Sequence, residues 1–193
     1  MVDVTDVRDL TSLQTVLFMV MFLQSSAKLS NCYAHIGICL SSALRMGLHR
    51  SISHRFDPIE QETRKRIFWC IVKLDTYVGA LLGLPRMLSD EDIDQELPLE
   101  VDDDCITFSE IKPMQAGKLS LMAGCNAHTR IVNILAKVVK YIYPIKTHKA
   151  AKPHTYIVSH GRIREIEHDL QEWQDTLPEP LKSGGGTPDH FIR

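Results

Sequence analysis

The sequence lacks the features that mark secreted, membrane-spanning and β-rich proteins. Its five cysteines are scattered, odd in number and never paired as C-x-x-C, whereas a secreted disulfide scaffold is smaller and denser in cysteine. A strongly apolar run from Thr15 to Leu23 is shorter than the roughly 20 residues that span a bilayer. No Asn-Gly or Asp-Gly pair signals a β-hairpin. We therefore expect an intracellular protein built of helices.

The chain also lacks a basic excess and a catalytic motif. Its formal net charge is -2, which argues against a nucleic-acid-binding surface covering the whole domain. It contains no G-x-S-x-G elbow, H-E-x-x-H pair, P-loop or dinucleotide glycine fingerprint. We assign no catalytic residue and no metal ligand, and we do not expect an enzyme.

What the sequence does contain is helical periodicity. The 193 residues are 44% hydrophobic and 24% charged, which suits one globular domain. Apolar spacings of three and four dominate, and they predict an all-α, irregular bundle of about five main helices around a central buried helix. We expect a single helical domain over residues 1–193, with its core in residues 10–182 and a flexible end in 183–193. The helices are predicted from near Thr11, from about Asn31 to Met46, from Pro58 to about Leu82, from about Met114 to Tyr143, and from about Tyr156 to Thr176.

Local signals mark several helix ends. Thr11 and Gln14 have the spacing of a capping box, and Ser30 is a candidate N-cap for the second helix. Gly47 is expected to end that helix in the left-handed conformation. In the fifth helix, the side chains expected to point inward are Ile163, Ile166, Leu170, Trp173 and Leu177.

The third helix carries the strongest signal. Asp57 is a candidate cap, Pro58 suits the first helical position, and Glu60 stands where a capping box takes an acid. Gly83 and Pro85 predict its end. One continuous apolar stripe follows the helix, at Ile67, Ile71, Leu74, Val78 and Leu81.

Three clusters have the residue types of metal sites. Cys32, His35 and Cys39 share one helix face, and Cys70 is a conceivable fourth zinc ligand, although such residues also suit a packed core. Glu165 and His168 have the i, i+3 spacing of di-iron bundles, but no second copy is present. The third cluster begins like a calcium loop and then departs from that pattern, so a solvated acidic loop is the preferred interpretation of Asp90, Asp92 and Asp94.

Two charged features lie on the third helix. The run Arg64-Lys65-Arg66 suggests a nuclear-import or phosphate patch, but Glu60 and Glu62 stand four residues before the two arginines and favour local ion pairs instead. Asp75 flanks the buried stripe, so its carboxylate needs a partner. We expect an ion pair with one of the basic side chains Arg45, Arg50 and Arg86.

The chain contains an ordered set of short segments that recur in a known family. They are Ala43–Arg50, Glu62–Trp69, Gly83–Pro85, Ser89–Asp94 and Leu97–Pro98. Together they resemble the fungal-specific transcription factor domain, the middle homology region or xylanolytic activator regulatory domain of fungal binuclear zinc cluster regulators. The family often has Gly-Arg-Pro where this chain has Gly83-Leu84-Pro85. The family domain also usually starts well before a segment like Leu10, so the resemblance implies that the domain is truncated here. The positions that carry the resemblance are Gly47, Leu48, His49, Arg50, Arg64, Arg66, Trp69, Asp75, Gly83, Pro85, Arg86, Asp92, Asp94 and Pro98.

The resemblance implies a regulatory module of a nuclear transcription regulator. In such proteins a cluster of six closely spaced cysteines binds zinc and DNA. That cluster is not in this chain, so we expect zinc and specific DNA binding only of the parent protein and no cofactor here. The implied partners are the DNA-binding and activation regions of the parent protein, together with a small-molecule effector or a coregulator, and no membrane.

Two other functions remain open at this point. The chain is alternatively a helical protein-interaction scaffold without a ligand, or, with less support, an unrecognised enzyme. A buried effector cleft lined by Met19, Met21, Phe22, Tyr77 or Met122 is conceivable, although core packing explains the same side chains.

Overall fold

The computed structural model describes residues 7–51, 56–143 and 159–182. Within these ranges it confirms the all-α class, and the only β pairing is an isolated antiparallel bridge between Ile106 and Ile111. None of the described helices is long and apolar enough to cross a membrane. The helices are α1 (Leu10–Ser25), α2 (Leu29–Arg45), α3 (Pro58–Leu82), α4 (Leu121–Ile142) and α5 (His160–Asp175), with 3₁₀ turns at Asp90–Asp92, Asp103–Cys105 and Glu179–Leu181.

The bounds of α3 agree with the prediction because both ends are specified locally. The Asp57 side chain accepts hydrogen bonds from the N–H groups of Ile59 and Glu60, at 3.0 and 3.1 Å. Gly83 ends the helix at φ 66°, a left-handed conformation that glycine adopts without steric cost.

The predicted caps of α1 and α2 are wrong. Asp9, not Thr11, caps α1, since its carboxylate accepts the N–H of Ser12 at 2.9 Å. Helix α2 begins at Leu29, and its N-cap Lys28 makes no side-chain capping bond, so Ser30 lies inside the helix. The other prediction for α2 is confirmed, because Gly47 follows its end at φ 71°.

The described chain divides into two compact units, Met1–Met122 and Ala123–Arg193. In the first unit, α1, α2 and α3 bury one apolar cluster, to which α3 contributes on most of its sides. Among its fully buried members are Leu13, Ile36, Phe68, Ile71 and Val78. This packing matches the predicted central role of α3 within that unit. A single domain over residues 1–193 stays a prediction.

Helix α4 begins seven residues later than predicted. Gly117 has φ 80°, which breaks the helical path through the expected first turns. Ser120 then accepts the N–H of Met122 at 3.0 Å and supplies the missing cap. The helix therefore starts at Leu121 and not near Met114.

The second unit pairs α4 with α5. The Trp173 indole N–H donates to the Ala127 carbonyl at 2.8 Å, and Ile166 is buried. Leu170 is 41% exposed, so its predicted inward position is wrong. Helix α5 begins at His160, and the predicted start at Tyr156 lies outside the described residues, as do the predicted flexible residues 183–193.

Candidate functional site

The first candidate site is the turn after α3, residues 83–88, which we call the exit turn. The side chain of Asp75 is fully buried, and its carboxylate accepts the Met87 N–H at 3.0 Å. The Tyr33 hydroxyl donates to the Pro85 carbonyl at 2.8 Å. A Cβ on Gly79 would lie 3.2 Å from the Leu84 carbonyl oxygen, so the turn folds tightly back on α3. Two side chains and one close backbone approach thus fasten this turn.

The predicted ion pair of Asp75 is wrong in its partner. Arg86 pairs with Asp90 at 2.9 Å, and Arg45 donates to the Val7 carbonyl at 3.0 Å, while the Asp75 carboxylate is satisfied by backbone N–H groups. Burial raises the pKa of Asp75. The N–H groups of Met87 and Leu88 and the charge of Arg86 oppose that rise.

The acidic connector, residues 89–104, is joined to the end of α2 by backbone and amide contacts. The Asp94 N–H donates to the His49 carbonyl at 3.0 Å. The Gln95 side-chain amide donates to the carbonyls of Leu48 and Arg50, each at 2.9 Å. Leu48 itself is fully buried, and burial lowers the pKa of His49. The segment after α2 is therefore held in register with the connector.

The basic run on α3 reaches three different targets. Arg64 donates to the Met46 carbonyl at 2.6 Å and pairs with Glu60 at 3.4 Å, as predicted for that pair. Lys65 is 4% exposed and bonds Glu96 of the connector at 3.0 Å. Arg66 bonds Asp103. Because each cation has its own local partner, the run does not form one open phosphate-binding face.

The predicted pair between Glu62 and Arg66 is wrong. Glu62 is 2% exposed, lies 3.6 Å from Lys65 and accepts the Leu99 N–H at 2.9 Å. A glutamate buried this deeply needs both the cation and the backbone donor. Glu62 therefore fastens the connector, a role that spacing along the helix did not reveal.

The remaining motif residues also belong to this arrangement. The Trp69 indole N–H donates to the Glu96 carbonyl at 2.8 Å, and Pro98 is buried. The Asp92 N–H donates to the Ser89 carbonyl at 3.1 Å and closes the 3₁₀ turn. We call this set of contacts, from the exit turn to Asp103, the clasp. Sequence reasoning did not predict the contacts of Tyr33 and Gln95, and it gave Glu62 and Lys65 other roles.

The candidate zinc ligands are engaged in other ways. Cys32 is buried and its thiol donates to the Val20 carbonyl at 3.5 Å, while the His35 ring Nδ1 lies 2.7 Å from the Asn31 carbonyl. Burial, with the neighbouring Cys70 and Cys32, raises the pKa of Cys39 to about 12. Zinc binds thiolate, and burial disfavours that charged form of the Cys39 sulfur.

The acidic groups of α5 form an open groove with α4. Glu165 pairs with Arg162, and Asp169 bonds Lys137, both at 2.6 Å. In the described part of the chain, the one group with metal-like spacing is His168, Asp169 and Glu172, and it is largely exposed. The groove has a volume of about 470 Å³ and is lined partly by Trp173.

The side chains named for a conceivable effector cleft do not form a buried site. Phe22 is 66% exposed, and Met21 and Tyr77 also lie at the surface. A different open cavity, of about 580 Å³, lies where α1 and α3 begin, and charged side chains that include Asp57 and Arg64 line it.

Comparison with known proteins places this arrangement in a family. The profile of the fungal specific transcription factor domain matches residues 3–175. The chain is 42% identical to "Activator of stress genes protein 1" of Candida albicans, over 94% of this chain and 20% of that protein. It is 44% identical to "Activator of stress genes 1" of Saccharomyces cerevisiae, over 94% and 18%. No solved structure matches.

A more distant relative has a comparable extent of match. The chain is 33% identical to "Transcriptional activator protein acu-15" of Neurospora crassa, over 89% of this chain and 18% of that protein. The chain thus spans about a fifth of the length of these relatives.

Proposed function

This chain belongs to the fungal specific transcription factor domain family, and from that premise we propose that it is the regulatory module of a longer transcription factor. The observation that carries the proposal is the family match over residues 3–175, together with relatives that are named as an activator of stress genes and as a transcriptional activator. Regulation of transcription is a binding function, and nothing in it requires catalytic residues in this chain.

The clasp is the element through which we propose that the module works. It ties the end of α2 and the connector to α3 through contacts that are individually modest. A small-molecule effector or a coregulator that binds the clasped and released forms unequally shifts the balance between them. The other parts of the parent protein then respond to that shift.

Since the chain covers about a fifth of its relatives, the remaining activities are assigned to the parent protein. We propose that its zinc and its specific DNA contacts lie in a separate DNA-binding region, and that it acts in the nucleus. That region and the activation region are the intramolecular partners of this module.

A chimeric activator tests the proposal. This chain replaces the matching segment of the Saccharomyces cerevisiae relative, in a strain that lacks the native gene, and transcript levels are measured across the genome. We expect the chimera to restore the transcripts that change when the gene is deleted. A chimera carrying Asp75→Ala should misregulate them, whereas Asp104→Ala, an exposed acid of the same connector, should not.

The proposal fails if the chimera accumulates to the native level yet leaves the deletion pattern unchanged. Protein level is measured in parallel, so that loss of folding is distinguished from loss of regulation.

One observation favours a second candidate function, a protein-interaction scaffold. Phe18 and Phe22 stand one turn apart on α1 and are 70% and 66% exposed. A metabolite screen by thermal shift separates the two candidates, because an effector that binds only the folded state raises the melting temperature. If the chain is a regulator that senses a ligand, we expect a metabolite to stabilise it specifically. If it is a scaffold without a ligand, we expect no such stabilisation.

A further inference from the structure

Ser89 stands in a sequence context that occurs once in the chain. It is followed by Asp90, Glu91 and Asp92, and no other serine or threonine in the sequence has acids at all three following positions. Protein kinases select substrates partly through charge patterns around the target residue. A serine followed by three carboxylates suits a kinase whose substrate groove is basic.

The structure leaves this serine accessible. Ser89 is exposed and lies in irregular backbone between the exit turn and the 3₁₀ turn Asp90–Asp92. Its hydroxyl makes one weak contact, to the Glu91 carboxylate at 3.3 Å. All three following acids are exposed as well. A kinase can therefore take this segment without unfolding a helix.

The surroundings of Ser89 make an added charge consequential. Two residues earlier, the Met87 N–H is held by the buried Asp75 carboxylate, and Leu88 is buried. Arg86 is the nearest cation in the sequence and pairs with Asp90 through one nitrogen. Its buried Nε and Nη2 atoms have no hydrogen-bond partner among the described residues. The guanidinium thus has two donor atoms that its pair with Asp90 does not use.

We propose that Ser89 is a phosphorylation site for an acid-selective protein kinase, and that its phosphate releases the exit turn from Asp75. In the transfer, the Ser89 hydroxyl oxygen attacks the γ-phosphorus of ATP held by the kinase. A new O–P bond forms as the P–O bond to ADP breaks, and the hydroxyl proton goes to the catalytic base of the kinase.

The expected release follows from electrostatics. A phosphoserine carries about -1.5 to -2 charges at pH 7, and beside Asp90 and Glu91 it repels like charges. It also draws Arg86 away from the neighbourhood of Asp75, whose buried carboxylate depends partly on that cation. Both effects weaken the hold of Asp75 on the Met87 N–H.

The test uses the full 193-residue chain with purified casein kinase 2 and ATP. We expect one phosphate per chain by intact mass, and fragmentation should place it on Ser89. Ser89→Ala should abolish the incorporation, and Glu91→Gln with Asp92→Asn should slow it at least tenfold. Ser109→Ala, at an exposed serine with one following acid, is the matched control and should leave it unchanged.

Hydrogen exchange on the phosphorylated chain tests the second part of the proposal, the release of the exit turn from Asp75. The amides of Met87 and Leu88 should exchange at least tenfold faster than in the unmodified chain. Absence of phosphate on Ser89, or incorporation that survives Ser89→Ala, overturns the site. Phosphorylation with unchanged exchange of these amides overturns the release. Neither readout depends on transcription, so the chimera and this test succeed or fail independently.

Discussion

Asp75 shows how one buried residue directs the chain after α3. Its carboxylate is removed from water, which raises its pKa, and it is stabilised mainly by backbone N–H groups of the exit turn. When a buried carboxylate is paired with backbone N–H groups, it fixes the path of the backbone that carries them. An arginine partner would instead bond through a flexible side chain and leave that path less constrained. The sequence indicated that Asp75 needs a partner. It did not reveal that the partner is the turn itself, because that turn approaches only in the folded chain.

The raised pKa of Asp75 predicts a pH dependence of stability. The ordinary value is 3.8, so as pH rises above it the unfolded chain releases this proton before the folded chain does. Unfolding is therefore favoured progressively until the pH passes the raised folded-state pKa. We expect the free energy of unfolding of the wild type, relative to Asp75→Asn, to fall as the pH rises above 3.8 and to level off once the pH has passed the raised folded-state pKa of Asp75.

Urea unfolding of both proteins across that range measures the difference. Asp92→Asn, at an exposed aspartate, should run parallel to the wild type. A wild-type stability that rises relative to Asp75→Asn over the same range would show that the pKa of Asp75 is lowered, contrary to our account.

Lys65 and Glu62 give a second prediction at the residue scale. Lys65→Met leaves Glu62 buried beside a single backbone donor, which we expect to cost about 3 kcal/mol of unfolding free energy. Adding Glu62→Gln removes the stranded charge, so the double variant should be more stable than Lys65→Met alone. Chemical denaturation of the singles and the double gives the coupling.

The exposed pair Arg162 and Glu165 is the control for that cycle. Its cycle of Arg162→Met and Glu165→Gln should show no measurable coupling, because water screens both charges. If the double variant loses as much stability as the two singles combined, Lys65 and Glu62 do not stabilise each other, contrary to our account.

At the scale of elements, local chemistry explains which predictions succeeded. The α3 bounds follow from Asp57, Pro58 and Gly83, each acting within one turn of its own position. The prediction of the α1 cap failed because Thr11 and Asp9 are both plausible caps, and only the folded backbone selects between them. The predicted start of α4 was wrong because Gly117 and Ser120 interrupt a continuous apolar pattern. Clasp members such as Gln95 were missed because their contacts join distant segments.

Two glycines, one at the end of α3 and one inside α4, give opposite predictions. Gly83 has φ 66°, so Gly83→Ala forces a left-handed alanine and should lower the unfolding free energy by about 1 kcal/mol. Gly124 lies inside α4, where an added Cβ meets only Leu181 at 4.0 Å. Gly124→Ala should therefore raise the unfolding free energy by about 0.5–1 kcal/mol. Equal effects of the two substitutions in thermal unfolding would contradict this assignment.

At the scale of the whole molecule, the segments that carry the family resemblance supply most of the contacts of the clasp. The resemblance rested on an ordered set of short segments, and the structure joins the end of α2, the middle of α3 and the connector through them. The motif residues hold a polar segment against an apolar helix. A clasp maintained by many modest contacts suits the proposed regulatory role, in which the module changes state when a partner binds.

The central claim is that the connector is clasped to α3 in the folded chain, and amide hydrogen exchange tests it most directly. The N–H groups of Met87, Asp94 and Leu99 each have a specific acceptor, in Asp75, His49 and Glu62. We predict that these amides exchange at least tenfold more slowly than an unstructured peptide of the same sequence, and that Asp75→Ala removes the protection at Met87. Exchange of all three at the unstructured rate would contradict the clasp.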